Sequence, residues 1–153
     1  MNSYEIAKAL HIIGVVLWIG GVAFVTFVLI PAIRRLDNVK NQYELFELVE
    51  HKFAWQARIS TLITGISGFF LTWRLDIWHR FTHIEFWWMH AMVLIWLIFT
   101  LMLFIVEPLF LHKWFKAKSK IDPQGLMKRV HRMHVVLTVI SLITVFAAMV
   151  GVH

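Results

Sequence analysis

HIIGVVLWIGG, residues 11–21, sets one imidazole near the start of a long apolar run and repeats small residues on the face that carries it. Residues three and four apart share a helix face, so His11, Gly14, Trp18 and Gly21 form one stripe, continued by Val25 and Val28. A ring-bearing ligand could lie against the bare backbone of that stripe, beside a nitrogen donor. The rest of the chain decides whether such a ligand has a second wall.

Of the 153 residues, 59% are hydrophobic and only 16% are charged, less charge than a soluble domain of this size carries. The apolar residues come in runs of about 20, the length that crosses a hydrocarbon core of ~30 Å at ~1.5 Å per residue. An integral membrane protein with one all-α domain is therefore expected. The absence of cysteine excludes disulfides, thiolate metal sites and iron–sulfur clusters. The net charge of +6 sits between apolar runs, where anionic lipid accounts for it without nucleic acid. The first apolar run is too long for a signal-peptide core and is expected to be retained.

Four spans are predicted, at about residues 6–30, 53–73, 86–110 and 131–150. Ser3 suits an N-cap for the first, and Pro31 with Arg34-Arg35 marks its far end. The polar segment 34–52 contains a helical tract from Tyr43 to Glu50, so the second helix is expected to begin before the membrane. Thr82-His83-Ile84-Glu85 reads as a capping box that starts the third. Glu107-Pro108 lies near the inner end of that helix. Asp122-Pro123 supplies a cap and a first-turn proline for the fourth, which ends at Gly151.

An even number of spans puts both termini on one side. The connections on the opposite side hold Arg34, Arg35, Lys40 and Lys52, then Lys113, Lys116, Lys118, Lys120, Lys128, Arg129 and Arg132, against Lys8, Arg74 and Arg80 on the terminal side. The positive-inside rule then gives an up-down four-helix transmembrane bundle, N-out and C-out, in a bacterial inner membrane. Trp73, Trp78, Trp87 and Trp88 would form an outer aromatic belt, Trp55 and Trp114 an inner one. A weak echo relates the two halves: His11 and His90 are 79 apart, His51 and His131 are 80 apart, and each odd helix has a proline near its inner end.

This topology sorts the histidines by depth. His11 and His90 lie about a turn inside the outer face on two parallel helices, whereas His51, His131 and His134 lie at the inner end. His79, His83, His112 and His153 read as interfacial. Two imidazoles on facing helices at one depth are what a low-spin b-type haem needs for its iron, and Gly14 and Gly21 would give the porphyrin room. The expected outer haem is held by His11 and His90. A second, inner haem would use His51 with His134, or with His131. Arg58 lies seven residues after His51, about as deep as Glu107. An intramembrane ion pair is the plain reading, and a haem-propionate anchor, a quinone contact or a proton relay are the functional ones.

With LHIIGVVLWIGG, QYELFELVEHK and WWMHAMV in view, the chain resembles the CopD and HemJ superfamily of small membrane proteins. The resemblance implies about four spans and haem b, with His11 as the first-helix histidine and His90 as the third-helix one. HemJ-type proteins oxidise protoporphyrinogen, but their pattern has a lysine two residues after the third-helix histidine, where Met92 stands here. Their asparagine-glutamate-proline arrangement near helix four is His131, Arg132 and His134 in this chain. The likeness therefore carries haem binding further than that reaction. CopD-like proteins handle copper, and Met89-His90-Ala91-Met92 and Met133-His134 combine thioether with imidazole, a ligand set that suits copper.

The expectation is a membrane cytochrome b with one or two haems, exchanging electrons with quinol or a small redox protein. Copper transport and a non-catalytic accessory subunit are the competing classes. Lipid is the surrounding partner, and a homo-oligomer is compatible with the pattern. With no nucleophile–base arrangement or phosphate loop in the sequence, any catalysis is expected to be oxidoreductase chemistry.

Overall fold

The computed structural model describes residues 2–151, and the regular structure in them is helical throughout. Four long helices run in chain order: α1 (Ser3–Ile33), α2 (Val39–Arg74), α3 (Ile84–Ile121) and α4 (Pro123–Gly151). α1, α3 and α4 are each long and apolar enough to cross a membrane. α2 differs because Gln56, Arg58, Ser60, Thr61, Thr64 and Ser67 interrupt its apolar run.

Local signals set the helix ends. Asn2, not Ser3, caps α1: its side chain accepts from Tyr4 N–H and the Glu5 carboxylate reaches back to the Asn2 N–H, which leaves Ser3 inside the first turn. Asn38 caps α2 by accepting from Lys40 N–H at 2.9 Å. α2 closes through Asp76, whose φ of 51° is tolerated by a short polar side chain. Its N–H and that of Ile77 return to the carbonyls of Trp73 and Thr72, capping the helix end. The expected Thr82–Glu85 capping box does not form. The Thr82 hydroxyl instead donates to His79 O at 2.7 Å within the 3-10 turn Trp78–Thr82, a second 3-10 turn spans Ile84–Phe86, and regular α-helix begins only at Trp87. Asp122 behaves as the sequence indicates, accepting from Gly125 N–H at 3.0 Å with Pro123 opening α4.

Both odd helices widen into π-helix near their inner prolines, at Val25–Leu29 before Pro31 and at Met102–Leu111 around Pro108. Proline has no N–H and its ring crowds the carbonyl one turn back, and a wider turn relieves that crowding.

Neighbouring helices run antiparallel. As α1 advances from His11 to Gly21, its partners on α2 recede from Ser67 and Gly68 to Phe53. α2 meets α3 through Thr61–Trp96 and Arg58–Leu103, and α1 meets α4 through Thr26–Thr138. The interior is unusually polar for its size: Thr26, Ser60, Thr61, Thr138 and Ser141 are almost fully buried. Large apolar side chains face outward instead, including Trp55, Ile59, Leu62, Ile66 and Phe69 along the outer side of α2. Small hydroxyl residues inside and apolar ones outside suit a lipid surround, where close backbone approach and interhelical hydrogen bonds hold helices together.

Candidate functional site

The glycine stripe of α1 is a helix-packing surface. A Cβ on Gly14 would collide with Thr64 Oγ1 and lie 3.1 Å from Ser60 O and 3.2 Å from Thr64 N, while one on Gly21 would strike the Phe53 ring. The space that these glycines open is filled by α2. His11 belongs to the same contact: its Nδ1 lies 3.0 Å from Thr64 O and 3.3 Å from Ser67 Oγ, with the ring against Gly68. Trp18 continues the stripe inward and meets Phe99 of α3 edge-on, with ring centroids 5.1 Å apart.

His90 is exposed and turned toward the connection before α3. Its Nε2 lies 2.9 Å from Phe81 O, its Nδ1 3.3 Å from Phe86 O, and its ring meets Phe81 edge-on. The structure therefore sends His11 to α2 and His90 to its own loop. The wall expected for an outer haem is a closed helix–helix seam here. Met89 is buried and the neighbouring His90 is exposed, so these two side chains of the Met89–Met92 pattern face different surroundings.

At the inner end the histidines separate clearly. His51 is exposed on α2. His131 is spent structurally: Arg34 Nη1 donates to its Nδ1 at 3.1 Å, which makes Nε2 the protonated nitrogen, donating to Thr26 O at 3.1 Å. His134 is held differently, with Nδ1 2.8 Å from the carbonyl of Val130. That bond takes the Nδ1 proton and leaves the Nε2 lone pair free, the tautomer that an axial ligand presents.

His134 lines a cavity of about 850 Å³ between all four helices, within the ~300–1,000 Å³ of cofactor and ligand pockets. Its walls are apolar: Val22 and Val25 from α1, Phe53, Ala54 and Ala57 from α2, Phe99 and Leu103 from α3, and Leu137 from α4. Met102 and Met133 also border it. Polar groups gather at its inner mouth, where a smaller hollow of about 370 Å³ shares Glu47, Glu50, Glu107 and His112 with the main cavity. Arg58 pairs with Glu107 there, and its Nε donates to Leu103 O at 2.9 Å. His112 Nδ1 meets Glu47 Oε1 at 2.9 Å, so its Nε2 is free as well. Burial, then the neighbouring Glu107 charge, raises Glu50 to about 7 against the opposing pull of Arg58.

The sequence pointed to Arg58, Glu107 and His134, but not to the carboxylates that join them. Glu47, Glu50 and His112 read as a solvated inner segment, and only the inward continuation of α2 and α3 beyond the apolar runs brings them to one mouth. The i, i+3 spacing of Glu47 and Glu50, which places both on one face of α2, was the available signal. Among the described residues no three His, Asp or Glu side chains cluster closely enough to hold a metal ion by themselves. His79 and His83 are exposed in the α2–α3 connection, and His153 lies outside the described residues.

A cofactor that brings its own equatorial ligands needs only axial donors from the protein, and the cavity fits that requirement on one side. His134 supplies a half-buried imidazole of the right tautomer, the walls supply apolar contact, and the mouth supplies charge. Comparison with known proteins found no matching family model, no matching curated protein and no matching solved structure.

Proposed function

We propose that the chain is a four-span membrane cytochrome of the b type, with its haem in the inner cavity and His134 as an axial ligand. The observation that carries this reading is the large apolar cavity lined by one half-buried imidazole, whose Nδ1 is tied to the Val130 carbonyl and whose Nε2 is free. α2 counts as the fourth span because its polar residues are turned inward while Trp55, Ile59, Leu62, Ile66 and Phe69 face outward. The basic connections then place the inner end in the cytoplasm, with both termini on the opposite side.

Haem b supplies one-electron transfer when bound. The protein's own residues do the rest. Phe53, Phe99, Leu103 and Leu137 exclude water from the cavity. Val130 fixes the His134 ring and its tautomer. Arg58 is neutralised by Glu107, whereas Lys113 and Arg129, which border the cavity without an ion pair among the described residues, supply the positive charge that a propionate would need. Electrons would be exchanged with quinol or a small redox protein, the partners that reach a membrane-embedded site.

The test is the optical spectrum and iron content of the protein purified from haem-replete cells. A b-type Soret and α band with stoichiometric iron is expected. A colourless, iron-free protein would overturn the proposal.

A further inference from the structure

Eight buried or half-buried hydroxyls in this bundle satisfy themselves by donating to the carbonyl one turn back, as Thr26 does to Val22 O, Thr64 to Ser60 O and Ser141 to Leu137 O. Thr61 and Thr100 do not. The hydroxyls of both are buried without a partner, and so is the indole Nε1 of Trp18. Trp18 is 4% exposed and Thr61 0%. An unpaired polar atom in an apolar interior is costly, so buried groups are almost always paired with protein, water or ligand.

The three residues stand on adjoining turns of the bundle. Gly14 lies against Ser60 and Thr64, and Leu17 O accepts from Gln56, which sets Trp18 of α1 beside the Ser60 turn of α2. Trp96 Nε1 donates to Thr61 O and Arg58 Nε to Leu103 O, which brackets Thr100 of α3 opposite the same turn. On α3, Trp96, Thr100, Leu103 and Glu107 form the stripe that faces α2. On α1, Trp18 lies on the stripe already packed inward. Each of the three is also one turn from a wall of the large cavity: Val22 follows Trp18, Ala57 precedes Thr61, and Leu103 follows Thr100. They sit at its outer end.

We propose that Trp18 Nε1, Thr61 Oγ1 and Thr100 Oγ1 form a binding site for one oxygen atom at the mid-depth of the bundle. The indole can only donate, whereas each hydroxyl can donate or accept. One oxygen can accept from the indole and from a hydroxyl, so the chemistry is that of a water or of the carbonyl of an apolar ligand, such as a quinone, reaching up from the cavity. A water would also donate to the second hydroxyl, matching the two to four bonds that buried waters make. The site stands on the unpaired atoms and their register, and does not rest on the haem proposal.

The test uses Thr61→Val and Thr100→Val, near-isosteric changes that remove only the hydroxyl, each read by equilibrium unfolding of the full chain in detergent micelles. If an oxygen fills the site, each variant lowers the folded-to-unfolded ratio by roughly two- to tenfold, the worth of one hydrogen bond. If the site is empty, each removes a buried unpaired group and the ratio is unchanged or rises. An unchanged or higher ratio in either variant overturns the proposal. The source is read by titrating decylubiquinone. Stabilisation of the wild type that both variants weaken assigns the oxygen to a quinone carbonyl, and destabilised variants without any quinone effect assign it to water.

Discussion

Arg58 and Glu107 offer the sharpest energetic test of the interior. Their side chains are 18% and 16% exposed, and Arg58 holds a second acceptor in Leu103 O. Removing one partner of a buried pair costs about 3–5 kcal/mol because the other charge is left uncompensated, whereas replacing both by apolar side chains is often neutral. The residual exposure puts Arg58→Met near the lower end, at about 3 kcal/mol, or more than 100-fold in the folding equilibrium. Glu107→Gln should cost less. It strands the guanidinium, but it also lifts the repulsion that Glu107 exerts on Glu50, whereas losing Arg58 leaves those two carboxylates facing each other. The double variant Arg58→Met/Glu107→Met should be more stable than Arg58→Met alone, with a coupling of about 2 kcal/mol or more. Reversible unfolding in mixed micelles, followed by circular dichroism, measures all three. Single variants within about 0.5 kcal/mol of wild type, with an additive double, would match an exposed pair and refute the reasoning.

Other perturbations address separate parts of the account. Gly14→Ala is expected to destabilise by about 1–3 kcal/mol, since the new methyl meets α2 backbone that cannot move aside. Gly20→Ala, with nothing within 4 Å of its Cβ, should leave thermal stability unchanged or slightly raised, and the pair measured together by circular dichroism checks the α1–α2 seam. Glu50 holds its proton to about 7 in the folded chain but only to about 4.5 when unfolded. The folded state therefore binds more protons in that window, and its stability falls as pH rises from 4.5 to 7. Glu50→Gln should flatten that slope, as read by unfolding across pH. His131→Ala should loosen the junction of α1 and α4, since both ring nitrogens are in use, and lower the melting temperature without removing a haem signal.

Much of the architecture was legible because it depends on local chemistry. Four helices, the inner prolines, the Asp122-Pro123 start and the depth match of Arg58 with Glu107 follow from run lengths, missing N–H groups and the cost of a lone charge in lipid. The glycine stripe reads in the sequence as room for a ring-bearing ligand, and in the structure α2 lies against it. Small residues state that room exists, and whether α2 or a porphyrin fills it is a tertiary matter. Thr82 shows the same limit at short range, because its hydroxyl had two acceptable uses and the preceding 3-10 turn took it. Depth alone also could not separate His131 from His134. Three residues apart on one helix, they differ only in what faces them: Arg34 and the Thr26 carbonyl for one, the cavity for the other.

The central claim is that His134, not the His11–His90 pair, holds the cofactor. Reduced-minus-oxidised spectra of purified His134→Ala and His11→Ala test it most directly, with melting temperatures to verify folding. His134→Ala should lose the b-type α band while staying folded, and His11→Ala should keep it at wild-type intensity. A band that survives in His134→Ala and vanishes in folded His11→Ala would contradict the account and return the haem to the outer face.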